Sequence, residues 1–313
     1  MSVPHMPVSE GPSGREQSFV ERHSIHPVVF AIGSLVLVFV LYQLVAGTIT
    51  FFLVGTAVTR DNVTALRLLT TAGQVLFILV PTLFLANLLA PRARGVFPWR
   101  MPNLPETMFA ILALLFLQQL FQIYLVFQDM IPLPDFVEKV LGPLRKMTEE
   151  MFRGLVQADS VGELAFVVFV IAFVPAFVEE FFFRGLIQSS FERSIKPIHA
   201  ALVTGVIFGI YHFNPFSAVP LIGLGCFFGF LRLRSASIVV PMTTHFVNNT
   251  LAVLATYFSM DNDMVLGANK QEGLNTSVII VQFVVYLLLF LAALLAYLRT
   301  SQRTNPDSHD AKM

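Results

Sequence analysis

Residues 28–54 run for about 27 positions without a charged side chain. At about 1.5 Å of rise per residue, a helix of that length exceeds the ~30 Å hydrocarbon core of a bilayer. Lipid offers no water to backbone N–H and C=O groups, so such a run must close its hydrogen bonds within itself, as a helix does. Seven more apolar runs follow, at 68–90, 107–127, 164–191, 198–213, 218–231, 237–258 and 277–298. The chain therefore reads as all-α, a polytopic integral membrane protein of about eight transmembrane helices with both termini on one side. Its composition agrees: 55% of residues are hydrophobic and 13% charged, against roughly 25% charged in an average soluble domain.

Between the runs, the chain divides by polarity. Residues 1–27 are rich in Pro, Ser, Gly and charge and read as a flexible tail. They do not read as a cleaved signal, because the first apolar run begins late and is too long. Residues 28–162 hold three accessory spans and a polar stretch. In that stretch Phe136, Val140, Leu144, Met147, Met151 and Leu155 recur at helical spacing, the pattern of an amphipathic helix lying on the membrane surface. Residues 163–258 carry the buried polar groups, and residues 259–313 supply a loop, the last span and a hydrophilic tail. The run at 218–231, with Pro220 and several glycines, reads as short and bent. On an eight-span path, twelve Lys and Arg fall on the side of the termini and seven on the other. The positive-inside rule then places both termini in the cytoplasm of a cell (inner) membrane protein.

A net charge of zero leaves no basic field for phosphates, which argues against nucleic-acid partners; the bilayer is the partner the composition implies. The single cysteine, Cys226, permits no intramolecular disulfide and reads as a small packing residue.

Within this apolar chain, Glu179, Glu180 and Arg184 lie inside one Phe-rich run. A charge at mid-membrane costs from ~2.5 to more than 10 kcal/mol, so intramembrane charges mark sites. Measured along each helix from the expected cytoplasmic end, Glu179 lies ~18 Å deep, His212 ~21 Å, His245 ~12 Å and Asn249 ~18 Å. Any one of these residues alone is more simply an interhelical hydrogen-bonding group; their convergence on one layer favours a site. Glu180 and Arg184 are four apart and suited to an ion pair. Glu179 lies ~100° around the helix and is left facing the histidines as a candidate general base. His245 and Asn249 share a face, as do Phe208 and His212. Such groups could activate water and stabilise an oxyanion, or Glu179, His212 and His245 could hold a metal. Gln118, Gln119 and Gln122 read as contacts between helices.

Three patterns, E-E-x-x-x-R at Glu179, Glu180 and Arg184, F-x-x-x-H at Phe208 and His212, and H-x-x-x-N at His245 and Asn249, resemble the motifs of the CAAX-processing and bacteriocin-processing (CPBP, or Abi) intramembrane proteases. The resemblance covers residues 164–258 and implies a helical bundle with a conical catalytic cavity inside it. It also implies hydrolysis of a peptide bond in a membrane-associated peptide or protein, in roles extending to peptide maturation or bacteriocin immunity. Glu179 and His212 would activate water, His245 and Asn249 would stabilise the oxyanion, and Glu180, Arg184 and Phe208 would support them. No H-E-x-x-H is present; a metal-free mechanism is favoured, with zinc as the alternative cofactor. The rival readings are a non-catalytic membrane scaffold or immunity partner and, more weakly, a proton-coupled transporter, for which no internal hydropathy repeat is found.

Overall fold

The computed structural model describes residues 17–55, 58–92, 95–132, 134–258 and 276–301, and among them every regular element is helical. Nine long helices follow in chain order: α1 (Pro27–Val54), α2 (Val63–Leu89), α3 (Leu104–Met130), α4 (Asp135–Val156), α5 (Val161–Glu192), α6 (Pro197–Tyr211), α7 (Ala218–Ser235), α8 (Val239–Tyr257) and α9 (Thr276–Thr300). Their starts follow local chemistry. The side chains of His26, Asn103 and Ser160 accept from backbone N–H groups in the first turns of α1, α3 and α5, meeting donors that a helix start leaves unpaired.

Eight of the nine helices fall on the expected spans and α4 on the expected amphipathic segment. Six, namely α1, α2, α3, α5, α7 and α9, are long and apolar enough to cross a membrane, so the chain is an integral membrane protein. This is two fewer than the expected eight. α6 is apolar but only 15 residues long, and α8 carries Thr243, Thr244, His245, Asn248, Asn249 and Thr250 in its middle. Of the tail expected over residues 1–27, residues 1–16 lie outside the described residues. Within the remainder, Ser18 and Glu21 form a reciprocal cap on a short helical turn, Phe19–Arg22, and Val20 is buried. The loop over 259–275 and the tail from residue 302 likewise lie outside the described residues.

The run expected to be short and bent is a continuous helix, α7. Pro220 falls in its first turn, where its missing N–H costs no intrahelical bond. The glycines serve packing. A Cβ at Gly205 of α6 would meet the backbone N of Cys226 at 2.4 Å, and one at Gly225 of α7 would meet Gly205 O at 2.4 Å. The two helices thus approach backbone to backbone, which small residues permit in membranes. Cys226 lies in this contact, its thiol 3.7 Å from Leu202 O.

α4 is held at its C-terminal end and in its middle. The guanidinium of Arg67, 1% exposed, donates to Leu155 O and Gln157 O at the end of α4 and to Glu163 at the start of α5. Arg145, in the middle of α4, makes a two-pronged bond to Asp129 of α3, and its guanidinium lies 5.8 Å from the ring centre of Phe216 in the α6–α7 turn. Much of the apolar face of α4 is exposed, with Phe136 73% and Met147 60% exposed.

Candidate active site

The two glutamates at the centre of α5 point to different partners. Glu180 is fully buried. Its Oε1 accepts from Arg184 Nη1 at 2.9 Å and from His245 Nδ1 at 2.9 Å. Arg184, also fully buried, donates to Gly225 O at 3.0 Å, and its guanidinium lies 4.5 Å from the centre of the Phe208 ring and 5.4 Å from that of Phe228. The cation is thus surrounded by a carboxylate, a carbonyl and aromatic faces, which together replace water. Glu179 turns away from this pair, and its Oε2 lies 4.0 Å from His212 Nε2. The structure therefore corrects one expectation. Glu179 faces only one of the two histidines, because His245 is taken by Glu180. A π-helical turn over Phe181–Ile187 follows the two glutamates directly, and such turns frequently occur at functional sites.

His212 stands just beyond the last residue of α6. Its Nδ1 donates to Phe208 O at 2.7 Å. That bond makes Nδ1 the donor and turns Nε2 toward Glu179. The next residue, Phe213, has φ of 50°, a left-handed conformation that costs a bulky residue energy and persists only where its surroundings impose it. Phe208 joins the two histidines: its ring centre lies 4.6 Å from that of His212 and 5.9 Å from that of His245. His245 stacks on Phe228 at 4.9 Å. With Nδ1 engaged by Glu180, Nε2 is the remaining atom through which His245 can act.

Asn249 takes part in a directional chain. Gln118 Nε2 of α3 donates to Asn248 Oδ1 at 2.9 Å, and Asn248 Nδ2 donates to Asn249 Oδ1 at 3.1 Å. This leaves the Asn249 amide N–H groups free to donate elsewhere. Gln118 reads in the sequence only as a contact between helices, and Asn248 simply as the neighbour of Asn249. Here they orient the amide, and only their mid-helix position hinted at it.

A zinc ion would need Glu179, His212 and His245 to converge. Among the described residues no group of three or more His, Cys, Asp or Glu side chains is placed to hold a metal ion, so these side chains as they stand do not form a three-ligand zinc site. A cavity of about 600 Å³ lies between α1, α2 and α4, and none of the site residues lines it.

Helix α1 also borders the site. The Tyr211 hydroxyl donates to Leu35 O, and Phe39 packs against Tyr211 at 6.0 Å and Phe213 at 5.4 Å between ring centres. The residues on either side of His212 are therefore braced by the first span.

Residues 161–251 match the family model described as Type II CAAX prenyl endopeptidase Rce1-like. The chain is also 29% identical over 96 residues to the Bacillus subtilis (strain 168) protein named "Putative membrane peptidase YdiL"; the aligned stretch spans 31% of this chain and 39% of that relative. No solved structure is significantly similar to the chain. The segment that carries both glutamates, both histidines and Asn249 is thus the segment by which this chain resembles the type II CAAX prenyl endopeptidases.

Proposed function

We propose that the chain is an intramembrane endopeptidase that hydrolyses a peptide bond in a membrane-associated peptide or protein without a metal cofactor. The observation that carries this reading is the pairing of Glu179 with His212, separate from the Glu180–Arg184–His245 group. The 4.0 Å between the Glu179 carboxylate and His212 Nε2 is too long for a direct hydrogen bond but suits two acceptors that share one water. Glu179 takes a proton from that water as its oxygen attacks the carbonyl carbon, and His212 Nε2 holds the second proton in a hydrogen bond. The tetrahedral oxyanion accepts from Asn249 Nδ2 and from the Nε2–H of His245, whose Nδ1 is held by Glu180. Collapse breaks the C–N bond, and the leaving amine takes the proton from Glu179.

In this reading Glu180 holds the second histidine in place, Arg184 neutralises Glu180, and Phe208 keeps both imidazoles apart. The charge balance across the loops favours a cell membrane location with both termini in the cytoplasm. Purified wild type in liposomes should cleave membrane peptides. Glu179→Ala and His212→Ala should each fold, by thermal melt and gel filtration, and lose turnover. A folded Glu179→Ala that still cleaves ends this assignment, whereas a wild type that cuts no peptide favours a scaffold or immunity partner. Comparing membrane-attached peptides from cells carrying wild type or Glu179→Ala would identify the substrate.

A further inference from the structure

The cavity of about 600 Å³ between α1, α2 and α4 falls within the size range of small-ligand sites. Phe51, Leu69, Met147 and Met151 give it apolar walls, while Gln43, Thr50 and Thr70 add hydrogen-bonding groups. Tyr42 lines it from a π-helical turn of α1, Val40–Ala46. Tyr42 packs against the core cluster that holds Val178 and Phe182, on either side of Glu179 and Glu180. Gln74 is 7% exposed, and its Oε1 has no hydrogen-bond partner. A Cβ at Gly73 would meet the Tyr42 ring at 3.4 Å, so the glycine lets α2 close on this tyrosine.

We propose that this cavity receives a segment of the substrate as an extended apolar peptide, with the Tyr42 hydroxyl donating to a backbone carbonyl and so positioning the chain beside Glu179. The proposal rests on the endopeptidase reading and adds a recognition site outside residues 161–251. A phenol both accepts and donates. Threonine and glutamine among apolar walls suit a peptide backbone better than an acyl chain, which has no hydrogen bonds to offer. Continuity with the site comes from α1 itself, which carries Tyr42 and also packs through Leu35 and Phe39 against the residues flanking His212.

Cys226 is the single cysteine, so a Cys226→Ala background accepts one label. Thr70→Cys in that background, labelled with an environment-sensitive bimane and reconstituted in liposomes, is titrated with synthetic decapeptides bearing a Leu/Val/Phe centre. The expected result is a saturable emission shift, with affinity lowered about tenfold by Tyr42→Phe, the loss of one hydrogen bond in a desolvated site. The filling variant Met151→Trp should abolish the shift. No saturable shift, an affinity unchanged by Tyr42→Phe, or saturation by oleate but not by peptide overturns the proposal. A saturable, Tyr42-dependent shift with no cleavage by unlabelled wild type leaves the binding site standing and removes the endopeptidase reading. Cleavage by wild type without peptide in the cavity does the reverse.

Discussion

Replacing Arg184 with methionine isolates the electrostatic centre of the bundle. Arg184 and Glu180 are both fully buried and joined at 2.9 Å. Methionine keeps much of the side-chain volume but leaves Glu180 buried with only His245 to answer its charge. Removing one partner of a buried ion pair costs about 3–5 kcal/mol, chiefly because the remaining charge is uncompensated. The lost bond to Gly225 O at 3.0 Å adds about 1–3 kcal/mol, the cost of an orphaned buried acceptor. The single variant should therefore lose at least about 3 kcal/mol, read as an earlier midpoint in denaturing-detergent unfolding. The double variant Glu180→Met/Arg184→Met removes both charges and should recover most of that loss, since apolar replacement of a whole buried pair is often neutral. It should nevertheless stay inactive, because His245 has lost the carboxylate that orients Nδ1. A single variant costing less than about 1 kcal/mol, the range of an exposed pair, would refute the argument, and so would an active double variant.

Gly205→Val should destabilise the α6–α7 contact by more than the usual ~1–3 kcal/mol of an overpacked core, because the added carbon meets the Cys226 backbone N at 2.4 Å and a backbone atom cannot rotate away; equal melting midpoints would show that the helices can separate freely. Arg67→Met strips donors from Leu155 O, Gln157 O and Glu163 and should free the α4–α5 connection, seen as new limited-proteolysis cuts near residues 157–160; an unchanged digest would mean that α4 is held by other means. Gln118→Leu releases Asn248 and with it Asn249, so kcat for peptide cleavage should fall about tenfold with KM little changed, the signature of a contact made in the transition state; a change confined to KM would place Asn249 in substrate binding instead. Dialysis against a strong zinc chelator should leave turnover intact, and loss of activity restored by added zinc would overturn the metal-free mechanism.

Much of this arrangement is legible in the residues, and the limit of legibility has a physical form. Apolar runs announce helices because lipid leaves the backbone no other partner, and Glu180 and Arg184 announce their pairing because positions four apart on a helix are neighbours whatever surrounds them. Which glutamate meets which histidine is a different kind of fact. It depends on how α5, α6 and α8 rotate against one another, and His245 reaches Glu180 rather than Glu179 through packing that no local spacing encodes. The glycines of α7 look like breaks until Gly205 on α6 supplies the backbone they accommodate. Arg67 reads as one of the loop charges because two of its partners are backbone carbonyls, Leu155 O and Gln157 O, which carry no sequence signature. The same limit applies to α1. Nothing in residues 28–54 suggests chemistry, yet Leu35 and Phe39 brace the end of α6 and Tyr42 packs on the cluster that holds Val178 and Phe182. If segment 161–251 alone sufficed for the site, substitutions in α1 would touch stability only. The placement of Tyr42 implies that a conservative Tyr42→Phe changes substrate handling in a protein that melts like wild type.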